Sequence, residues 1–242
     1  MRIVAIVQAR TGSTRLPGKV LLDLAGEPML VRVMSRVCRV RNLDETVVAT
    51  TREPSDDAIS QLCSERGWRC FRGSELDVLD RYYRAAAMFQ ADAVVRITSD
   101  CPLIDPEIVD RVVESFLDGQ PEIGYVSNTL PRRTFPRGLD TEVMGFPVLE
   151  RAWLEDGDPN WREHVTPYLW RNPDRFRLHG VMNDVDYSGM RWTVDTPRDL
   201  RFVRAVYGYF GHDRFSWRQV LELLEQRPEW LAINAHVEQK VI

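Results

Sequence analysis

Gln8-Ala9-Arg10-Thr11-Gly12-Ser13-Thr14-Arg15-Leu16-Pro17-Gly18-Lys19 follows directly on the apolar run Ile3-Val4-Ala5-Ile6-Val7. A short apolar run bounded by Gly and Pro marks a buried strand, and a loop leaving such a strand in an open α/β sheet lies at its carboxyl end, where these folds bind ligands. The loop suits a polyphosphate. Gly12 and Gly18 permit tight turns and close backbone approach, Thr11, Ser13 and Thr14 bring hydroxyls, and Arg10, Arg15 and Lys19 bring positive charge. Of 32 cationic side chains only Lys19 and Lys240 are lysines. A compact, flexible ammonium inside this loop suits a phosphate that moves or leaves. A P-loop fails on spacing, because Gly12 stands one residue too far upstream and Val20 follows Gly18-Lys19, and no G-x-G-x-x-G is present to support a dinucleotide site.

Working outward, Pro28 is placed to open a helix through Met29, Leu30, Val33, Met34 and Val37, whose spacing is helical. Thr46 to Thr51 reads as a strand, and Ser55 to Gly67 as a helix with a capping hydroxyl and a C-terminal Gly. Trp68 to Phe71, Leu76 to Phe89 and Ala93 to Ile97 continue as strand, helix, strand, and Asp105-Pro106 opens another helix that ends near Leu117. Strands separated by single helices predict a mostly parallel central sheet with helices on both faces. Residues 121–145 break the pattern with prolines, glycines and Arg132-Arg133, which predicts an excursion from the core sheet carrying short strands at 124–127 and 141–145. Helices are expected at Pro147 to Glu155 and Trp161 to Arg171, strands at Phe176 to Met182 and Met190 to Val194, and helices at Pro197 to Tyr209 and Ser216 to Gln226.

Length and a 44% hydrophobic content support an α/β core, and a formal net charge of -4 argues against a nucleic-acid partner bound on a basic face. Five apolar residues before Gln8 are too few for a signal-peptide core, and no later run is long enough to insert in a membrane. Cys38, Cys63, Cys70 and Cys101 lack C-x-x-C spacing, so reduced thiols in the cytoplasm are expected.

Two carboxylates stand where the loop needs them. Asp100, in Arg96-Ile97-Thr98-Ser99-Asp100-Cys101-Pro102, lies just past the expected fourth strand, with Pro102 holding Cys101 extended. Asp195 follows the expected strand Met190 to Val194, before Thr196 as N-cap, Pro197 as first helical residue and Asp199 closing a capping box. Paired oxygens beside a phosphate cradle are what Mg²⁺ asks for; each Asp by itself also reads as a turn residue. Arg132, Arg133 and Arg137, ahead of Gly138-Leu139-Asp140-Thr141-Glu142, could meet an anionic substrate or form a solvated basic loop. His164, beside Glu163, reads as a substrate contact or as an interfacial histidine.

The segment Ala9 to Lys19 resembles the signature of CMP-sialate and CMP-Kdo synthetases, the cytidylyltransferases that activate sugar acids. The likeness extends further for the spore-coat-polysaccharide cytidylyltransferase-like family, through Val47 to Thr51, Phe71 to Ser74, Val78 to Tyr83, Arg96 to Asp105, Tyr125 to Leu130, Pro136 to Asp140, Arg162 to Tyr168 and Arg191 to Pro197. It implies a Rossmann-like, GT-A-type nucleotidyltransferase fold, CTP as co-substrate, Mg²⁺ as cofactor, a small anionic acceptor such as a sugar acid, and a homodimer. Carried across, Arg10, Arg15, Lys19 and Asp100 are the catalytic set, and Ala9, Arg10, Thr11, Gly12, Ser13, Arg15, Lys19, Arg96 and Asp100 bind nucleotide. Arg137, Asp140, Glu142, Glu163 and His164 bind the acceptor, and Asp100 and Asp195 bind the metal. The organisation expected is one nucleotidyltransferase domain over 1–242, with 121–160 a substrate or dimerisation excursion and 211–242 a C-terminal helical extension. A GT-A glycosyltransferase using a nucleotide-sugar and a non-catalytic nucleotide-binding protein are the alternatives the fold leaves open.

Overall fold

The computed structural model describes residues 1–239, so the last three residues of the expected C-terminal extension, Lys240 among them, lie outside it. In chain order its elements are β1 (Ile3–Gln8), β2 (Asp23–Leu24), β3 (Glu27–Pro28), α1 (Met29–Val37), β4 (Glu45–Thr51), α2 (Asp57–Arg66), β5 (Arg69–Gly73), α3 (Val78–Met88), β6 (Ala93–Thr98) and α4 (Pro106–Asp118). They continue with β7 (Tyr125–Ser127), β8 (Glu142–Gly145), α5 (Phe146–Glu155), α6 (Pro159–His164), α7 (Pro167–Trp170), β9 (Leu178–Gly180), α8 (Pro197–Phe210) and α9 (Trp217–Gln226).

A seven-stranded sheet in the order β5-β4-β1-β6-β8-β7-β9 forms the centre. β1 pairs in parallel with β4 and β6, and β4 in parallel with β5, as strands joined by single helices require. β8 alone runs against the other six, antiparallel to both β6 and β7. Alternate side chains of β1 feed two cores. Ile3, Ala5 and Val7 pack with the apolar faces of α1, α4, α8 and α9, whereas Val4 and Ile6 pack with α3, α5 and α7. Every apolar residue of β1 is buried, so the strand tolerates charge on neither face.

Several sequence expectations need correction. The stretches at 124–127 and 141–145 do not leave the core: β7 and β8 are strands of the central sheet, and only the connection between them loops out. Met190 to Val194 forms no strand. Its backbone bonds to loops instead, with Arg137 N–H donating to the Met190 carbonyl (3.0 Å), Trp192 N–H to the Arg137 carbonyl (2.7 Å) and Val194 N–H to the Asp100 carbonyl (2.8 Å). Trp192 and Val194 are nonetheless fully buried, which accounts for the strand-like alternation. The helix expected over Trp161 to Arg171 is two short helices, parted at Val165 with φ +72°, because Pro167 cannot donate to an earlier turn and disfavours helical geometry before it. Phe176 to Met182 shrinks to β9.

Gly138 is where the 136–140 loop meets the Trp192 segment. Its φ is +107°, and a Cβ there would lie 2.6 Å from the Thr193 nitrogen and 2.7 Å from the Trp192 carbonyl carbon. Gly138→Ala should therefore cost about 1–3 kcal/mol in urea unfolding, while Gly157→Ala, with open space around it, should stay within about 0.5 kcal/mol of the parent.

Candidate active site

The parallel register of β1 and β6 sets Gln8 beside Thr98. The loop after β1 and the turn after β6 therefore leave the sheet at the same edge. The Thr11 carbonyl accepts from Ser13 N–H (2.8 Å) and Gly18 N–H (2.9 Å), folding the loop back on itself, and Gly18 takes φ +66° to start the 3₁₀ turn that carries Lys19. Lys19 is thereby buried and aimed across the edge.

Its ammonium sits between the two predicted carboxylates. Lys19 Nζ donates to Asp100 Oδ2 and Asp195 Oδ1, both at 2.9 Å, and to the Val194 carbonyl at 2.8 Å. Burial acts to lower the Lys19 pKa, but Asp100 and Asp195 outweigh it and raise the value above the ordinary 10.5. Burial likewise acts to raise Asp100, yet Lys19 overrides it and the carboxyl is pushed down to about 2. The other Asp195 oxygen accepts from Arg191 (2.7 Å) and forms an ion pair with Arg15 (3.0 Å). The capping box at Thr196 and Asp199 forms as expected and anchors the start of α8 just beyond Asp195.

These groups line a cleft of about 550 Å³. Ala9, Arg10, Gly12, Ser13, Arg15 and Lys19 form one wall, Arg96, Asp100 and Asp195 the floor, and Arg137, Asp140, Glu163 and His164 the opposite side. A larger cavity of about 740 Å³ opens outside Arg15 but contains neither Asp100 nor Asp195. Arg10 spans the cleft to Glu163 at 3.2 Å, tying the loop to α6. Arg133 holds Asp140, one nitrogen–oxygen contact being 2.7 Å. Burial lowers the Arg137 pKa, and the nearby charges of Arg133 and Arg191 act in the same direction against Asp140.

Two expected contacts lie elsewhere. Thr11 does not line the cleft: its amide and hydroxyl both donate to Asp56 Oδ1, at 2.7 and 2.6 Å, fastening the loop to the turn after β4. Glu142 is buried below the cleft, where it accepts from Tyr125 Oη (2.6 Å), Thr166 Oγ1 (2.7 Å) and Arg96. Burial acts against the Arg96 charge, but Glu142 prevails and raises its pKa above the ordinary value. Sequence reasoning passed over Arg191, whose lone signal was its place in the segment leading to Asp195.

Asp100 and Asp195 already converge on one cation, the Lys19 ammonium, and hard carboxylate oxygens of this kind suit Mg²⁺. No cluster of three or more His, Cys, Asp or Glu that could hold a metal occurs among the described residues. A metal here would draw its remaining ligands from phosphate and water. Among the described residues no helix is long and apolar enough to cross a membrane, and all four cysteines are unbridged.

A cytidylyltransferase family model matches residues 4–224. An uncharacterized protein of Methanocaldococcus jannaschii is 39% identical over 99% of this chain and 97% of its own length. The spore coat polysaccharide biosynthesis protein SpsF of Bacillus subtilis is 31% identical over 94% of this chain and 95% of its own. Among solved structures, a cytidylyltransferase from Leptospira borgpetersenii superposes with a TM-score of 0.92 at 34% identity, covering 100% of this chain and 99% of that one.

Glu142→Gln would leave Arg96 without its carboxylate. A loss of about 3–5 kcal/mol is expected, as when one partner of a buried pair is removed, read as a lowered denaturation midpoint before any assay of activity.

Proposed function

The chain belongs to the cytidylyltransferase family and is a nucleotidyltransferase, and we propose that it transfers CMP from CTP to a hydroxyl of a small anionic acceptor, such as a sugar acid, with release of pyrophosphate. Family membership sets aside the glycosyltransferase and the non-catalytic alternatives. The observation that carries the reading is Lys19 held at 2.9 Å from both Asp100 and Asp195 on the floor of a cleft walled by the glycine-bearing loop.

In this reading the acceptor oxygen attacks the α-phosphorus in line. A P–O bond forms, the bond to the β-phosphate breaks, and the hydroxyl proton passes to water. Arg10, Arg15 and Lys19 neutralise the departing pyrophosphate, and Ser13, whose hydroxyl oxygen accepts from Leu16 N–H at 3.3 Å, keeps its proton for a phosphate oxygen. Asp100 and Asp195 would hold Mg²⁺, which when bound supplies Lewis-acid charge at the α-phosphate. Lys19 is suited to yield that place, because its flexible stem lets the ammonium turn towards the β- and γ-phosphates. Arg137 in the lining of the cleft supports an anionic acceptor, and the likeness to a polysaccharide biosynthesis protein supports a role in making surface carbohydrate. A homodimer, which the family resemblance implies, belongs to the same proposal.

Pyrophosphate release measured with each of the four NTPs, Mg²⁺ and a panel of sugar acids and phosphonates tests the reading. CTP should be preferred, and preference for ATP or UTP would overturn the base assignment. Lys19→Ala and Asp100→Asn should each lower turnover by about 10²–10³, the usual cost of losing a preorganised charge, with circular dichroism unchanged.

A further inference from the structure

The residues after α9 return to the site. A 3₁₀ helix at Pro228–Ile233 packs against α8 and α9 and delivers Asn234, buried at 4% exposure, beneath Arg191. The Asn234 side-chain nitrogen donates to the Arg191 carbonyl at 2.9 Å and to Asp199 Oδ1 at 3.0 Å. Both partners are pure acceptors, which fixes the amide with its nitrogen towards them. Asp199 in turn accepts from Arg191 Nε at 2.9 Å and from the Asp195 N–H at 3.0 Å. Arg191 reaches Asp195 Oδ2 at 2.7 Å through Nη2, and its Nη1 donates to Gln239 Oε1. Arg15, on the same Asp195 oxygen, also donates to the Glu238 carbonyl at 3.4 Å. One short segment, Asn234 to Gln239, thus contacts both guanidinium groups that grip Asp195.

We propose that Asn234 and Arg191 are positioning residues for the metal-binding carboxylate Asp195, and that the C-terminal segment is part of the metal site rather than an appendage to the fold. The proposal rests on the reading that Asp100 and Asp195 hold the divalent ion. The planar Arg191 guanidinium bridges Asp199 and Asp195 and fixes the plane of the Asp195 carboxylate. With Oδ2 committed to Arg15 and Arg191, Oδ1 is left to face the cleft cation. Asn234 locks this arrangement from behind by holding both the backbone of Arg191 and the side chain of Asp199. An outer contact of this kind sets how readily a ligand meets its metal, and losing it typically weakens metal affinity by 10–100-fold.

The test titrates Mn²⁺ into the full-length protein with CTP and no acceptor, following free Mn²⁺ by its electron paramagnetic resonance signal and subtracting the binding by the same concentration of CTP alone. Asn234→Ala should weaken Mn²⁺ binding roughly tenfold. Arg191→Lys keeps a charge near Asp195 but loses the fork; it should weaken Mn²⁺ binding in the same direction and carries the test if Asn234→Ala does not fold. A merely structural role would lower turnover or the denaturation midpoint and leave Mn²⁺ affinity where it was, and that result would overturn the proposal. Asp100→Asn, measured alongside, separates the two levels. If it abolishes Mn²⁺ binding and the Asn234 and Arg191 variants do not weaken it, the metal reading stands and the positioning roles fall; if the parent binds no Mn²⁺ with CTP, both fall.

Discussion

A buried ammonium shared by two carboxylates is the constraint on which the site depends. Lys19, Asp100 and Asp195 are separated by up to 176 positions in the chain and meet within 2.9 Å. Holding either sign of charge there without the other is unfavourable, since an unpaired ion in a low-dielectric setting costs several kcal/mol. The fold satisfies the requirement in stages. β1 and β6 lie side by side in parallel, so the loop and Asp100 reach the same edge, and the Trp192 segment is pinned to the Asp100 carbonyl through Val194 N–H, which carries Asp195 to the third corner. Arg15 and Arg191 on the outer oxygen of Asp195 complete a ring of alternating charge around the floor of the cleft.

What could be read in the residues, and what could not, follows from the range of the interactions involved. The loop, the four parallel strands and the helix start at Thr196 are encoded by near neighbours, through apolar runs, glycines and a capping box. The strand expected at Met190 to Val194 shows the limit of such signals. Alternation of apolar and polar residues reports which side chains face inward, and Trp192 and Val194 do face inward, but it does not report whether a neighbouring strand supplies a ladder. Thr11 and Glu142 show a second limit. A hydroxyl in a phosphate-type loop and a carboxylate in an anion-facing segment have the chemistry of ligand contacts, yet Asp56 and Arg96 claim them through contacts 45 and 46 positions away. Asn234 was invisible for the same reason: its importance lies wholly in its acceptors, Arg191 and Asp199, and nothing in its local sequence marks it.

The reversed strand β8 has a consequence for how such an enzyme can diverge. Because β8 opposes β6, its first residue, Glu142, lies buried below the cleft beside Arg96, and the segment feeding into it, with Arg137 and Asp140, contributes to the far wall. The phosphate side is built from the carboxyl ends of parallel strands, where the loop is tied to Asp56 and the floor to Asp100 and Asp195. The far wall belongs to a connection between antiparallel neighbours, β7 and β8, and such a connection can lengthen at little entropic cost, about 0.6 kcal/mol per doubling. The two sides of the cleft are therefore built differently, one hung on the register of parallel strands and the other on loop contacts such as those between Arg137 and the Trp192 segment.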